Sequence, residues 1–288
     1  MNTIERVDET DLGGRRVRRM GFGAMQLAGP GVFGPPRDRE AAIAVLRRAV
    51  ELGVNHIDTS QYYGPTVVNE LIRDALYPYP DDLALVTKVG ARRDEEGRWL
   101  QANSPAELQA GVEDNLRTLR VERVHVVNLR IVGVEGSGVP RPDQLAALEE
   151  LRRAGTIGHI GVSNVTLEGL EIALEHVEVA EVQNAYSVLD RANEPLVDRC
   201  AELGIPFVAY FPLGSAFTGG PARLAAAPAV PAVAQRHGAT PAQVALAWLL
   251  ARYDRMLLIP GTQSVAHLEE NVAAADLTLT GDDLEWIG

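Results

Sequence analysis

Short apolar runs alternate with amphipathic segments along most of the chain, and this alternation constrains the fold more than any other feature. The runs have the length of buried strands, and stretches of helical periodicity separate them. Eight strands are predicted, at residues 19–23, 54–58, 83–87, 124–129, 159–162, 179–183, 206–210 and 256–259. Because a helix between two strands returns the chain to the same end of the sheet, these strands are expected to be parallel.

The helices are predicted from apolar spacing and from capping residues. Ile43, Leu46 and Val50 are spaced by three and four residues, which places them on one helical face. Ser104 and Glu107 have the spacing of a capping box at the start of a helix. The predicted helices span residues 39–52, 66–77, 105–119, 142–154, 167–175, 194–203, 241–252, 264–274 and 281–287, with one more helical stretch after a Gly-, Ala- and Pro-rich loop at 211–221.

Eight strands interleaved with helices predict one α/β domain, a (β/α)8 TIM barrel over residues 1–288. A doubly wound sheet is the alternative, and the lack of a GxGxxG motif after the first strand weighs against it. Residues 1–19 are polar, and Gly13 and Gly14 separate two short segments there. This pattern predicts an N-terminal β-hairpin that forms a lid outside the strand-helix repeat.

Charge and composition exclude several classes of function. Lys and Arg number 27 against 39 Asp and Glu, which gives a net charge of −12. A field of this sign repels nucleic acids and anionic membrane surfaces, so neither is expected as a partner. No apolar run is long enough to span a bilayer, and the N-terminus does not have the apolar core of a signal peptide. A cytoplasmic protein, either a monomer or a small homo-oligomer, is expected.

Three chemically active side chains follow two neighbouring predicted strands. Asp58 and Tyr63 come at and after the end of the strand at 54–58, and Lys88 ends the next strand. The carboxyl ends of barrel strands meet on one face, where barrel enzymes carry out their chemistry. A phenol has an ordinary pKa of about 10, and a neighbouring ammonium favours its ionised form. We therefore expect Tyr63 to act as a general acid toward a carbonyl oxygen, with Lys88 lowering its pKa and Asp58 orienting Lys88.

The chain resembles the aldo-keto reductases in several motifs that occur in the same order as in that family. The run DTSxxYG at 58–64 and Thr87-Lys88 match its catalytic signature. Further matching segments are GFGAMQLAG near the start, GHIGVSN at 158–164, VQN at 182–184, AYFPLGS at 209–215 and IPGTQSVAHLEEN at 259–271. The resemblance implies a barrel that reduces aldehydes and ketones with NADPH, and it implies that Asp58, Tyr63 and Lys88 are catalytic.

The resemblance also implies a set of cofactor-binding residues. Ser163, Asn164 and Gln183 match residues that bind the nicotinamide carboxamide, and Tyr210 matches the ring that stacks on the nicotinamide. Leu213 and Ser215 match the pyrophosphate site, and Thr262, Gln263, Glu270 and Asn271 match the adenosine end. Other expected cofactor contacts are Gly23, Met25 and Gly261. The residues alone leave open that Ser163 and Asn164 form a helix N-cap.

One departure from the family pattern concerns the fourth catalytic position, which is a histidine in the family and Arg130 here. Arginine is a permanent cation, so Arg130 would polarise a carbonyl or bind an anionic group, and it would further lower the pKa of Tyr63. An alternative is that Arg130 pairs with a nearby acid and activity is reduced. Asn128 lies on the same strand face and offers a neutral donor in place of the histidine.

A second departure concerns the pocket for the 2′-phosphate, where this chain has Gly261 and His267 at positions at which many family members have Lys and Arg. The helix start near Ser264 offers backbone amides to a phosphate, so NADPH is expected, with NADH as an alternative. The chain ends at Gly288, soon after its last predicted helix, which implies an open substrate pocket. GPGVFGPP at 29–36 and PYPDDLALVTKVG at 78–90 resemble a bacterial branch that includes pyridoxal reductases.

Two other functions remain open at this point. Lys88 would serve as the nucleophile of a Schiff-base lyase of the same fold. Arg130 would fit a cofactor-binding sensor or regulatory protein with little turnover. No metal site is expected, since His56, His125 and His159 have no metal-ligand spacing and are predicted to pack. The expected partner is a small carbonyl compound.

Overall fold

A computed structural model of the 288-residue chain describes residues 8–132, 138–215 and 219–288. The strands are β1 (Glu9–Leu12), β2 (Arg15–Arg18), β3 (Phe22–Gly23), β4 (His56–Asp58), β5 (Ala84–Arg93), β6 (Trp99–Ala102), β7 (Val124–Arg130), β8 (Ile157–Ser163), β9 (Val179–Ala185), β10 (Phe207–Tyr210) and β11 (Met256–Leu258). The helices are α1 (Arg39–Glu51), α2 (Val67–Leu76), α3 (Pro105–Leu119), α4 (Pro142–Arg153), α5 (Leu167–His176), α6 (Glu194–Leu203), α7 (Gly220–Ala226), α8 (Ala229–His237), α9 (Pro241–Arg252), α10 (Val265–Ala273) and α11 (Gly281–Ile287). Within these ranges, no helix has both the length and the apolar character that a membrane span requires.

Eight parallel strands form the barrel, in the order β3, β4, β5, β7, β8, β9, β10 and β11. A parallel bridge between Met20 and Leu258 joins the first strand to the last and closes the sheet. Next to this bridge, the buried guanidinium of Arg19 donates to the carbonyl oxygens of Tyr253 at 2.7 Å and Met256 at 3.1 Å. The prediction of a (β/α)8 TIM barrel with an N-terminal hairpin is confirmed.

The N-terminal hairpin of β1 and β2 covers the end of the barrel where the strands begin. Leu12 and Val17 are fully buried and pack with Ala84, Val126 and other apolar residues of the barrel strands. The predicted catalytic face is at the opposite end, because Asp58 and Lys88 lie toward the carboxyl ends of the barrel segments of β4 and β5. The prediction of a hairpin is therefore confirmed, but its description as a lid is wrong, since it forms the floor of the barrel.

Two other features differ from the sequence-based expectation. Strand β5 continues beyond Lys88 to Arg93 and pairs with the antiparallel strand β6, which was not predicted. The helical stretch after the loop at 211–221 is two helices, α7 and α8, which are separated at Ala227 and Pro228. Periodicity did not indicate either feature, because β6 is short and largely exposed and because a proline starts a new helix without changing the apolar spacing.

A buried network of amides and hydroxyls joins α2 and α3 to the barrel. Asn115 on α3 accepts hydrogen bonds from Asn69 on α2 at 2.9 Å and from Thr87 on β5 at 2.6 Å. Its own amide donates to Gln61 at 2.9 Å, and Thr59 donates to Asn69 at 2.8 Å. Since Thr59 and Gln61 belong to the loop that follows β4, this network fixes that loop against the helical layer.

We predict that Asn115→Leu lowers the free energy of unfolding by about 2–4 kcal/mol, because it leaves several buried donors and acceptors without partners. The measurement is equilibrium unfolding in urea. Gln109→Leu, on the exposed face of the same helix, is the matched control and should change the free energy by less than about 0.5 kcal/mol. Equal effects of the two substitutions would contradict the role given to the network.

The middle of the barrel interior contains a buried carboxyl group. Asn128 on β7 donates from Nδ2 to Oε1 of Glu181 on β9 at 2.6 Å, and both side chains are fully buried. Gly161 on β8 makes room for this pair, since a Cβ atom there would lie 2.2 Å from Oδ1 of Asn128. Burial, with a smaller effect from the charge of Asp58, raises the pKa of Glu181 to about 7. Burial also lowers the pKa of His56 to about 4, and this residue packs as expected.

The raised pKa of Glu181 predicts a pH-dependent stability. The stabilisation is complete below the pKa of an unfolded glutamate, about 4.3, and is lost as the pH rises through about 7. Between these values, the wild-type protein should lose about 3 kcal/mol of unfolding free energy relative to Glu181→Gln. Urea unfolding at pH 5, 6, 7 and 8 measures this difference. Glu178→Gln, an exposed position near the start of β9, is the control, and parallel curves for Glu181→Gln and wild type would refute the prediction.

Candidate active site

A buried ion pair joins the end of β4 to the middle of β5. Lys88 donates from Nζ to Oδ1 of Asp58 at 2.5 Å and to the carbonyl oxygen of Thr59 at 3.2 Å. The other carboxylate oxygen of Asp58 accepts a hydrogen bond from Nε2 of Gln183 at 2.8 Å. Lys88 and Asp58 are each 2% exposed. Because both charges are paired and hydrogen-bonded, the ammonium is held in one position at the mouth of the barrel.

Tyr63 faces this ion pair from the loop after β4. Nζ of Lys88 lies 5.3 Å from the centroid of the Tyr63 ring, and both side chains line the same cavity. The Tyr62 ring packs edge-on against Tyr63 at a centroid distance of 5.3 Å. Gly64 follows with φ of 88°, a left-handed conformation that suits glycine and turns the chain into α2. The structure thus brings together the three side chains that the sequence singled out.

The pKa of Tyr63 does not shift in the expected direction. Burial raises it well above the ordinary value, and the charge of Asp58 raises it further. Arg130 lowers the pKa of Tyr63, as expected, but this effect is smaller than the combined effect of burial and Asp58. The expectation of an acidic phenol is wrong for this arrangement, because burial of the phenol and the charge of the Asp58 carboxylate outweigh the effect of the nearby cation. Tyr63 is consequently held in its protonated form.

The cavity at the mouth of the barrel has a volume of about 440 Å³. Eleven of the predicted site residues line it: Gly23, Met25, Asp58, Tyr63, Lys88, Arg130, Asn164, Gln183, Tyr210, Leu213 and Gly261. Aromatic side chains that the sequence did not indicate also line it, among them Tyr62, Trp99 and Phe211. Trp99 lies on β6 and contacts Tyr62 edge-on at 5.6 Å. The contribution of Trp99 to the cavity could not be predicted, because strand β6 was not predicted.

The residues expected at the nicotinamide form one side of this cavity. Tyr210 donates from its hydroxyl to Oδ1 of Asn164 at 3.1 Å, and Nδ2 of Asn164 donates to the carbonyl oxygen of Ile131 at 2.8 Å. Oε1 of Gln183 is buried and has no hydrogen-bond partner among the described residues. This oxygen is an acceptor for a ligand that carries an N–H group.

Six other predicted cofactor residues are not among the described residues that line the cavity: Ser163, Ser215, Thr262, Gln263, Glu270 and Asn271. Four of these six lie in the loop after β11 or in α10. Oγ1 of Thr262 accepts from the backbone of Ser264 at 3.0 Å, and Glu270 accepts from Thr240 at 2.5 Å. Their roles toward a cofactor stay predictions.

Arg130 is the last residue of β7, and its side chain lines the same cavity. Its Nη1 donates to Oγ of Ser163 at 3.1 Å, and its guanidinium carbon lies 5.1 Å from the centroid of the Tyr210 ring. In the described parts of the chain, no carboxylate forms an ion pair with it. Asn128 does not supply the neutral donor that we considered, because its amide is bonded to Glu181 below the cavity.

The arrangement combines a protonated phenol, a fixed ammonium and an amide oxygen in one cavity. A protonated phenol is able to donate a proton to a carbonyl oxygen that is placed against it. The ammonium stabilises the phenolate that this transfer leaves behind. The geometry therefore fits general acid catalysis at a carbonyl group, next to a site that accepts an amide.

Comparisons with known proteins give the same picture along the whole chain. The model of the Aldo/keto reductase family matches residues 19–287. Pyridoxine 4-dehydrogenase from Escherichia coli (strain K12) is 53% identical over 279 residues, which cover 96% of this chain and 96% of that protein.

Solved structures also match over nearly the full length. An aldo/keto reductase from Klebsiella pneumoniae in complex with NADP and acetate has a TM-score of 0.79 and 26% identity, covering 97% of this chain and 94% of that one. A second structure from that organism, in complex with NADPH, has a TM-score of 0.80 and 25% identity, covering 99% of this chain and 94% of that one. The family match and the match to the E. coli enzyme confirm the resemblance seen in the sequence and the prediction of an oxidoreductase, and the chain belongs to the aldo/keto reductase family.

Proposed function

We propose that this protein reduces an aldehyde or ketone to the alcohol with NADPH, and that Tyr63 donates the proton. The observation that carries this proposal is the shared cavity, which Tyr63, Lys88 and Asp58 line together with Gln183 and Tyr210. A proton donor and a site for an amide-bearing ring therefore lie in one space, as the reaction requires.

The described residues fit a nicotinamide cofactor. The unpartnered Oε1 of buried Gln183 would accept from the carboxamide, and Asn164 offers a polar group beside it. The Tyr210 ring lines the cavity and offers a flat surface for stacking. When bound, the cofactor supplies the hydride that the carbonyl carbon receives. The two solved Klebsiella structures contain NADP and NADPH, which supports the choice of cofactor.

The chain's own residues account for the proton transfer. Tyr63 donates its hydroxyl hydrogen to the carbonyl oxygen, and Lys88 stabilises the resulting phenolate. Asp58 holds Lys88 in place through the 2.5 Å contact and keeps it charged. Because burial raises the pKa of Tyr63, the phenol is protonated when the substrate arrives.

We propose pyridoxal, or another small aromatic aldehyde, as the substrate. Pyridoxine 4-dehydrogenase, the E. coli relative, is named for a reaction that interconverts an alcohol and an aldehyde on a pyridine ring. The aromatic side chains of Tyr62, Trp99 and Phe211 in the cavity support a flat ring as ligand.

The two other functions considered have less support. A Schiff-base lyase needs an uncharged lysine amine, whereas Lys88 donates to a carboxylate and a carbonyl as an ammonium. A sensor with little turnover would not need a loaded proton donor beside the amide site. A single-domain protein in the cytoplasm, active as a monomer or small homo-oligomer, stays part of the proposal, and size-exclusion chromatography with light scattering would test its oligomeric state.

The role of Tyr63 as proton donor is tested by removing its hydroxyl. Tyr63→Phe should lower kcat for pyridoxal reduction by at least about a thousandfold, because general acid catalysis by the phenol is lost. NADPH affinity, measured by fluorescence titration, should change by less than about threefold.

Tyr62→Phe is the matched comparison, since Tyr62 is also a buried phenol beside the cavity. Its loss of kcat should be at least about a hundredfold smaller than that of Tyr63→Phe. If the two substitutions reduce kcat equally, Tyr63 is not the proton donor. If the wild type turns over none of a broad panel of aldehydes and ketones, the reductase proposal fails.

The contact with the 2′-phosphate of the cofactor is tested at His267. We expect exposed His267 and the start of α10 to replace the cationic residues of other family members. His267→Ala should weaken NADPH binding about three- to tenfold and leave NADH binding unchanged, because NADH does not have this phosphate. Fluorescence titrations with both cofactors measure this. Equal losses for NADPH and NADH would show that His267 does not contact the phosphate.

A further inference from the structure

Arg130 contacts two side chains, Tyr210 and Ser163, that are expected to bind the nicotinamide. Its guanidinium lies 5.1 Å from the centroid of the Tyr210 ring, and Nη1 donates to Oγ of Ser163 at 3.1 Å. Arg130 and Tyr210 line the same cavity, so a guanidinium held against this ring competes with a nicotinamide that stacks on it, since each needs direct contact with the ring. Arg130 must therefore leave this position when the cofactor enters.

The guanidinium has no counter-charge in the described parts of the chain. The Asp58 carboxylate, which lines the same cavity, is already bonded through one oxygen to Lys88 and through the other to Gln183. The cavity around Arg130 is lined largely by apolar and aromatic side chains, including Ile131, Val132 and Trp99. A cation in such surroundings is stabilised when an anion enters and pairs with it. Arginine also binds carboxylates and phenolates more specifically than a point charge does, because its donors form a planar fork.

We propose that Arg130 selects carbonyl substrates that carry an anionic oxygen, and that it does so only after the nicotinamide has displaced it from Tyr210 and Ser163. The displaced guanidinium remains in the cavity, because β7 fixes the Arg130 backbone at its edge. There it meets the substrate beside Tyr63. The inference rests on the proposed reductase function and adds the class of substrate and the residue that selects it.

The proposal makes cofactor binding and anion binding thermodynamically coupled. NADPH frees the guanidinium for an anion, and an anion draws the guanidinium away from the nicotinamide position. Each ligand must then raise the affinity for the other by the same factor. This coupling does not depend on turnover, so it is measured with an unreactive ligand.

The test uses salicylate as an anionic aromatic probe and salicylamide as its neutral match. Isothermal titration calorimetry gives the Kd of each probe with and without saturating NADPH. In the wild type, NADPH should tighten salicylate binding at least about tenfold more than it tightens salicylamide binding. In Arg130→Gln this difference should vanish, and in Arg130→Lys it should return in part. A difference that persists in Arg130→Gln would overturn the proposal.

A second measurement examines the displacement itself. Arg130→Gln should bind NADPH about fivefold more tightly than the wild type, because the contact with the Tyr210 ring no longer has to be broken. Thermal unfolding of the two proteins without cofactor confirms that the variant is folded. Equal or weaker NADPH binding by folded Arg130→Gln would overturn the displacement.

Kinetics with matched substrates completes the test. The ratio of kcat/KM for pyridoxal to that for its 3-O-methyl ether should fall at least about tenfold in Arg130→Gln, because the ether cannot present a phenolate. An unchanged ratio in a variant that still turns over both compounds would overturn the substrate selection. Failure of the reductase proposal has a different signature, which is calorimetric coupling in the wild type without turnover of any carbonyl compound.

Discussion

The ion pair between Lys88 and Asp58 is the interaction on which the site depends. Two buried charges are stable only when each is paired and fully hydrogen-bonded, and the contacts from Thr59 and Gln183 meet that requirement. The pair fixes the end of β4 and the middle of β5 relative to β9, which supplies Gln183. The phenol of Tyr63 keeps its proton chiefly because it is buried, and the charge of the Asp58 carboxylate adds to this effect. The cavity therefore presents a protonated phenol beside a fixed ammonium.

The position of Tyr63 depends on a second set of contacts that lies outside the barrel. The loop after β4 carries Tyr63, and buried hydrogen bonds tie it to two helices: Thr59 donates to Asn69 on α2, and Gln61 accepts from Asn115 on α3. Polar groups are thus buried on both sides of this loop. On the inner side they form the proposed active site, and on the outer side they hold the backbone of the loop. A loop that was fixed only by apolar contacts would allow the hydroxyl to shift, and small shifts reduce catalysis strongly.

The sequence predicted the parts of the structure that follow from local patterns. Alternating strands and helices indicated the barrel, and the polar residues after two strands indicated the catalytic face. The position of the hairpin was not predictable, because apolar residues such as Leu12 and Val17 show burial but not which end of the barrel they cover. Trp99 was missed because β6 has no periodic signal. The pKa of Tyr63 was misjudged because the sequence shows which charges are near but not how burial and Asp58 outweigh them.

The charges in and under the cavity form a consistent set. Lys88 and Asp58 compensate each other, and the raised pKa of Glu181 leaves that carboxyl largely protonated below pH 7. Arg130 is then the one described charge at the cavity without a partner of opposite sign. In a chain with a net charge of −12, an uncompensated cation at the site attracts anions that the rest of the surface repels. A histidine at this position would be neutral at most pH values and would not give this selectivity. The replacement of the family's histidine by arginine therefore retains a hydrogen-bond donor beside Tyr63 and adds a charge that an anionic substrate can neutralise.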